Sequence, residues 1–169
     1  MKLIFIRHGE ANYQTDKLTM RGILQIKWAT KYLENEEPCA IYCSPRARTL
    51  QTANIINKKF KVPMHIMQEI TERQYLNDKE RELFWDDYDK HYLDYTYENE
   101  NFETCKDFID RCIKGIEKVV EENKKNSTVI ICAHSSTLYA LNAYINGIPE
   151  TQKIDWVQCS NGAVIKYYL

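Results

Sequence analysis

Leu3 to Ile6 form a short unbroken apolar run that ends in Arg7-His8-Gly9-Glu10, the pattern of a strand buried on both faces. Thr19 offers an N-cap to a segment in which Ile23, Ile26, Ala29, Tyr32 and Leu33 recur at helical spacing up to Pro38. Ala40-Ile41-Tyr42-Cys43 reads as a second strand, and Ser44-Pro45 opens a helix carrying Ala47, Leu50, Ala53, Ile55 and Ile56. Met64 to Met67 is a weak strand, and residues 78–95 have the pattern of a charged amphipathic helix. Thr104 can cap a long helix bearing Phe108, Ile109, Cys112, Ile113, Ile116, Val119 and Val120, closed by the polar run Glu121 to Ser127. Thr128 to Cys132 is the clearest strand, Ser136 to Ile145 the helix after it, stopped by Gly147 and Pro149, and Ala163 to Tyr168 a last strand. Strands alternating with helices predict an α/β fold, a three-layer αβα sandwich with a mostly parallel sheet.

Composition narrows this picture. At 169 residues the chain fits one domain, expected to span 1–169 with an insertion near 77–101, and no repeat or linker divides it. With 44% apolar residues, five Gly and four Pro, it is neither disordered nor fibrous. The formal charge of −1 argues against nucleic-acid or anionic-membrane partners, which call for a basic excess. That neutrality is a cancellation: residues 78–110 hold 12 acidic and 4 basic side chains, a local −8, against +7 elsewhere. The same stretch carries eight of the twenty aromatics, among them Phe84, Trp85, Tyr88 and Tyr92. The N-terminus breaks into charge after four apolar residues, unlike a signal peptide, and no apolar run approaches the roughly 20 residues that span a bilayer. The six cysteines show neither a CxxC pair nor zinc-like spacing to histidine, which predicts reduced, packed thiols in a cytoplasmic protein.

In sheets of this kind ligands bind beyond the carboxyl ends of the strands. There the chain places Arg7-His8-Gly9-Glu10, Ser44-Pro45-Arg46-Ala47-Arg48 and Ala133-His134-Ser135. Two histidines and several arginines therefore converge on one sheet edge. Arginine presents a fixed fork of donors to phosphate oxygens and stays charged, and a neutral imidazole is a competent nucleophile near neutrality. The opposing reading, buried hydrogen-bonded histidines beside ordinary surface arginines, applies better to His65 and His91, which belong to no such grouping.

On these residues the sequence resembles the histidine phosphatase superfamily, which includes the cofactor-dependent phosphoglycerate mutases and many small phosphatases. Arg7-His8-Gly9-Glu10 looks like its RHGE signature, Leu18 to Gln25 like its LTxxGxxQ helix start, and Ser44 to Ala53 like its SPLxRAxQTA stretch. In that register Arg48 is the phosphate-clamping arginine, and Arg46 fills a slot usually held by leucine. Glu103-Thr104 with Arg111 resembles an ES segment and its trailing arginine, and Cys132 to Ser136 the second-histidine motif. Five motifs in order cover nearly the whole chain. The resemblance implies a phosphoglycerate mutase-like fold and phosphoryl transfer from a small phosphomonoester to His8, with no cofactor and no metal. Arg7, Arg48 and His134 would neutralise the equatorial oxygens, and substrate would also meet Gly9, Gln14, Tyr75 and Ser135. The family's proton donor follows the third strand. Ile70 to Tyr75 resembles the mutase-type LNERHYG segment, which favours Glu72, while Glu69 fits a looser LxE pattern.

The sequence also departs from the mutases. Ala11-Asn12-Tyr13-Gln14 replaces SxWN, the glycine-containing loop before LTxxG is missing, and Asp86, Asp87 and Asp89 lie where a bisphosphate site would want cations. A second anionic group near a local charge of −8 would be repelled. The reading preferred from sequence is a phosphatase for a monophosphate whose remainder is neutral, aromatic or cationic. The alternatives are a mutase or sugar bisphosphatase and a catalytically weak phospho-ligand-binding homologue. A solvated helix packed on the core competes with a substrate lid for residues 78–95, and the oligomeric state is unreadable.

Overall fold

A computed structural model describes residues 1–73, 93–98, 103–154, 157 and 159–169. The chain runs through β1 (Lys2–Arg7), β2 (Ala11–Asn12), β3 (Lys17–Leu18), α1 (Met20–Tyr32), β4 (Pro38–Cys43), α2 (Ala47–Phe60), β5 (Met64–Ile66) and a 3₁₀ turn (Gln68–Ile70). It continues with α3 (Cys105–Glu122), β6 (Thr128–Ala133), α4 (Ser135–Asn146) and β7 (Val164–Tyr168). The strands lie in the order β5-β4-β6-β1-β7. All neighbouring pairs are parallel except β1 with β7, which is antiparallel. The expected mostly parallel αβα sandwich is the fold observed.

Period-two alternation divides the core. Leu3 and Phe5 of β1, with Val129 and Ile131 of β6, pack against Ile116 and Val119 of α3 and Leu138 and Leu141 of α4. Ile4 and Ile6, with Ile130 and Cys132, face Ile26 and Leu33 from the α1 side and Ala53 and Ile56 of α2. Both faces of β1 are thus sealed, which is why its sequence is apolar without alternation. The helix caps follow the sequence: Thr19 Oγ1 accepts from Gly22 N–H at 3.0 Å, and Thr104 Oγ1 from Asp107 N–H at 3.1 Å.

Three details differ from the expectations. Tyr32 does not join the buried stripe of α1 but is 72% exposed, in line with Met20, Leu24 and Trp28 on the solvent side. Ile26, Ala29 and Leu33 set the rotation of the helix, and Tyr32 lies about a quarter-turn from Leu33. Helix α2 begins at Ala47 rather than at Ser44-Pro45, because Ser44 N–H still donates to Cys132 O and extends the sheet pairing. Of the helix expected over 78–95, residues 93–95 instead form part of a turn in which Asp94 bridges Lys153, Tyr95 N–H donates to Gln152 O and Leu93 O accepts from Ile154 N–H. Residues 78–92 lie outside the described residues, as does His91. The β2–β3 ribbon, two residues per strand, was too short to give a pattern. His65 stacks on Tyr42 at 4.9 Å, a packing role. The cysteines are free, five buried and Cys39 exposed. Burial raises the thiols of Cys43 and Cys105 to about 11.

Candidate active site

The register of three strands sets the floor of the site. Cys43 of β4 pairs with Cys132 of β6, and Arg7 of β1 with Ala133 of β6, so the chain leaves the sheet at neighbouring points. His8 N–H still donates to Ala133 O at 3.0 Å. His8, Ser44 and His134 follow these strand ends directly, and Arg48 comes from the first turn of α2. The two imidazoles are essentially inaccessible and Arg48 is buried, and the rings stand edge to face with centroids 5.4 Å apart.

Partners define the protonation of each ring. His8 Nδ1 meets Gly9 O at 2.7 Å, and a carbonyl only accepts, so Nδ1 carries the proton. Nε2 accepts from Arg48 Nε–H at 3.2 Å and holds a lone pair. His134 Nδ1 accepts from Arg48 Nη2–H at 3.2 Å, and its Nε2–H donates to Ser44 Oγ at 2.9 Å. Burial is the main reason that His8 is pulled down to about 4. The charges of Arg48 and Arg7 add to it, while the Gly9 hydrogen bond opposes it. His134 is likewise lowered well below the usual imidazole value, by burial first and then by Arg48, His8, Arg46 and Arg7. Both imidazoles are therefore neutral at pH 7. Arg7 Nη1–H donates to Cys159 O, while its buried Nε has no hydrogen-bond partner among the described residues. A donor left over in this way suits an anion at His8.

Glu72 closes the site on the other side. Its Oε1 accepts from Ser136 Oγ–H, and Oε2 lies 3.3 Å from His134 Nδ1 and 3.7 Å from Arg48 Nη2. The side chain keeps 32% of its surface open, yet the surrounding protein excludes enough water for desolvation to be the largest influence. Desolvation raises its pKa against the Ser136 hydrogen bond and the charges of Arg48, Arg7 and Arg46. Glu69, the alternative, packs its side chain beside Gly115 of α3, where an added Cβ would come within 2.7 Å of Glu69 Cβ. The segment carrying both glutamates is irregular and is tied down by Arg111. Its Nε and Nη2 pair with the two oxygens of Glu103 at 2.7 and 2.8 Å, and Nη1 donates to Glu69 O at 2.6 Å and Thr71 O at 3.2 Å.

Most remaining motif residues brace this floor. A Cβ on Gly9 would lie 2.4 Å from Gly22 O, so the loop after β1 and the start of α1 can touch only as two glycines. Gly9 N–H donates to Thr52 Oγ1 at 3.3 Å, Glu10 N–H to Gln25 Oε1 at 2.7 Å and Leu18 N–H to Gln51 Oε1 at 2.7 Å. Ser135 is half-buried at the first position of α4, and Tyr75 lies outside the described residues. Gln14, expected at the substrate, is exposed. The same loop reaches the site through two residues not singled out before. Asp16 pairs with Arg48 Nη1 and accepts from Ala47 N–H at 2.8 Å, and the Tyr13 ring lies 5.4 Å from the Arg48 guanidinium carbon. Ser44, Ser136 and Asn161, which donates to His8 O at 3.2 Å, were likewise unassigned. Among the described residues no group of three or more His, Cys, Asp and Glu is placed to hold a metal ion, and no helix is long and apolar enough to cross a membrane.

An α/β sheet whose strand ends carry two neutral histidines between arginines defines a class of anion-handling sites. The comparisons are specific. Residues 3–168 match the family model of the histidine phosphatase superfamily (branch 1), and the chain belongs to that family. It is 30% identical to the uncharacterized phosphatase PhoE of Bacillus subtilis over 157 residues, covering 87% of this chain and 79% of that protein. Its fold is shared with Bacillus stearothermophilus YhfR (TM-score 0.80, 22% identity, 98% of this chain and 89% of that one). It is also shared with a mycobacterial glucosyl-3-phosphoglycerate phosphatase (TM-score 0.81, 19% identity, 98% and 88%). Family membership and the phosphatase relative support a hydrolase acting on phosphate esters.

Proposed function

We propose that the protein is a metal-independent phosphatase that hydrolyses a small phosphomonoester through a phosphohistidine on His8. The observation that carries this reading is the His8 tautomer. Nδ1–H is committed to Gly9 O, and the Nε2 lone pair is turned toward Arg48. In-line attack by Nε2 transfers the phosphoryl group, while Arg48 Nε and Nη2 and the spare Arg7 Nε surround its equatorial oxygens; His134 joins them in the tautomer that carries its proton on Nδ1, with Ser44 Oγ–H then donating to Nε2. Glu72, whose pKa desolvation raises, gives its proton to the departing alkoxide. As a carboxylate it then takes a proton from the water that hydrolyses the phosphohistidine, which restores His8 and releases inorganic phosphate. Three fixed cationic or hydrogen-bonding groups supply the charge neutralisation that a metal provides in other phosphatases. A small substrate agrees with relatives named for glucosyl-3-phosphoglycerate and phosphoserine.

The test is hydrolysis of an aryl phosphate with no metal added. His8→Ala should lose at least 10³-fold in kcat, and quenching the wild type during turnover should trap radiolabelled protein phosphate that survives alkali but not acid. Equal rates for wild type and variant would sink the assignment. Phosphoglycerate interconversion dependent on a bisphosphate primer would favour the mutase reading instead.

A further inference from the structure

Asp16 is the feature of the site that the phosphatase reading leaves unused. Of the three edges of the Arg48 guanidinium, Nε faces His8 and Nη2 faces His134 and Glu72, so a phosphoryl group on His8 draws on those two. Asp16 takes the third through Oδ1 on Nη1, and its Oδ2 is fixed by Ala47 N–H at 2.8 Å. The carboxylate keeps 29% of its side-chain surface open, and the Tyr13 ring, 66% exposed, covers the guanidinium beside it. The loop is built to hold it there. Asn12 Oδ1 accepts from Gln14 N–H at 2.9 Å and Thr15 N–H at 3.2 Å, and Asp16 itself adopts a left-handed conformation with φ of 54°. A non-glycine residue in that region is retained when its surroundings fix it.

We infer that Asp16, with Tyr13, is the specificity determinant for the leaving group, which it selects by charge. The inference rests on the phosphatase reading of the clamp. Acceptors on adjacent edges of one guanidinium lie about 4–6 Å apart, so the atoms next to the transferred phosphoryl group pass within a few ångströms of a fixed negative charge. A leaving alcohol with a second anion near the phosphoester oxygen meets that charge across a few ångströms and is rejected. A protonated amine at the same place is attracted, and a neutral hydroxyl can donate to the free carboxylate lone pairs. Arg46 stands on the same rim as an opposing charge, but it is exposed at the N-cap of α2, where water and salt weaken its field. The substrate class is therefore a monophosphate ester of a cationic or neutral alcohol, rejected when a carboxylate or second phosphate sits two or three bonds from the ester oxygen.

Three two-carbon esters that differ only in tail charge test this: phosphoglycolate, ethylene glycol monophosphate and phosphoethanolamine. Wild-type kcat/KM should be lowest for phosphoglycolate by at least about tenfold. Asp16→Asn should raise the phosphoglycolate value about tenfold relative to the neutral ester and lower that of phosphoethanolamine several-fold. Asp16→Gly, which removes the charge while relieving the left-handed conformation, should move the ratios the same way. Equal changes for all three esters would reduce Asp16 to a prop for Arg48 and overturn the inference, as would unchanged ratios. Affinities of the same esters for His8→Ala, with and without Asp16→Asn, separate the two claims. If wild type and His8→Ala turn over alike while the charge order in binding responds to Asp16→Asn, the phosphatase reading fails and the charge selection stands. If turnover depends on His8 but the binding order ignores Asp16, the charge selection alone is overturned.

Discussion

The two sides of the site are held in different ways. His8 and His134 sit immediately beyond β1 and β6, whose pairing runs unbroken from Lys2–Thr128 to Arg7–Ala133, so the parallel sheet places the proposed nucleophile and its neighbour. Glu72 lies beyond the last turn of an irregular segment, and no strand fixes it. It is located by side chains instead: Ser136 holds the carboxylate, and Arg111 grips three backbone carbonyls upstream while Glu103 holds Arg111. A backbone ladder tolerates the loss of one side chain, whereas a network of side chains concentrates its dependence on a few. The attacking side should therefore fail only when its reacting groups are removed, and the proton-donating side also when its supports are.

The largest expected effect within this contrast is that of Glu72→Gln. The amide keeps the size and the Ser136 contact but cannot release a proton, so kcat on an alkyl phosphate should drop about 10²–10³-fold, with a smaller loss on p-nitrophenyl phosphate, whose leaving group needs little protonation. The pH profile carries the sign. Glu72 has a raised pKa, and in the proposed mechanism its protonated form is the active one and is lost as pH rises through that pKa, so wild-type kcat/KM on alkyl esters should decline on the alkaline side. In Glu72→Gln that decline should vanish. An alkaline limb that persists unchanged in the variant would remove Glu72 from the role and return attention to Glu69.

Arg111→Lys ranks next. Lysine keeps the charge but cannot span both Glu103 oxygens and the carbonyls of Glu69 and Thr71. It should lower kcat about tenfold with KM within twofold, because the acid is displaced and the clamp is not. In a Glu72→Gln background the same change should cost less than about twofold, since there is no proton left to position. Additive losses would mean that Arg111 supports the clamp as well, and the contrast between the two sides would blur.

The legibility of each side from sequence follows the same physics. Strand runs such as Thr128 to Cys132 and the polar residues that end them belong to a periodic pattern, so Arg7, His8 and His134 could be placed at one sheet edge before any coordinates. The same pattern put Arg46 and Arg48 at that edge; the resemblance singled out Arg48 as the clamp and favoured Glu72 over Glu69. The contacts of Asp16, Ser44 and Ser136 had no such signal, because a hydrogen bond between residues far apart in the chain leaves no period in it. Asp16 was hidden further by lying in the stretch where the chain departs from the mutase pattern, between Ala11 and Leu18. There the motif comparison named Gln14, which is exposed, and gave no signal for Asp16, which pairs with Arg48. Tyr32 shows the opposite failure: it matched the spacing of α1 but lost its place in the core to Leu33, which fixes the helix rotation by packing on Ile26 and the sheet.

The smallest effect should come from Gln14 itself, and it is informative for that reason. Its backbone N–H completes the Asn12 turn at 2.9 Å, but its side chain is in solvent, so Gln14→Ala leaves intact both the turn and the hydrogen bonds that hold Asp16. Values of kcat and KM on all three two-carbon esters should stay within about threefold of wild type, and the ratios among them should not move, whereas Asp16→Asn changes those ratios. Should Gln14→Ala shift the phosphoglycolate ratio as Asp16→Asn is expected to, charge selection would belong to the shape of the loop rather than to its carboxylate. The rim of the site would then be organised like the acid side, by mutual side-chain support, instead of by one fixed charge on the far edge of Arg48.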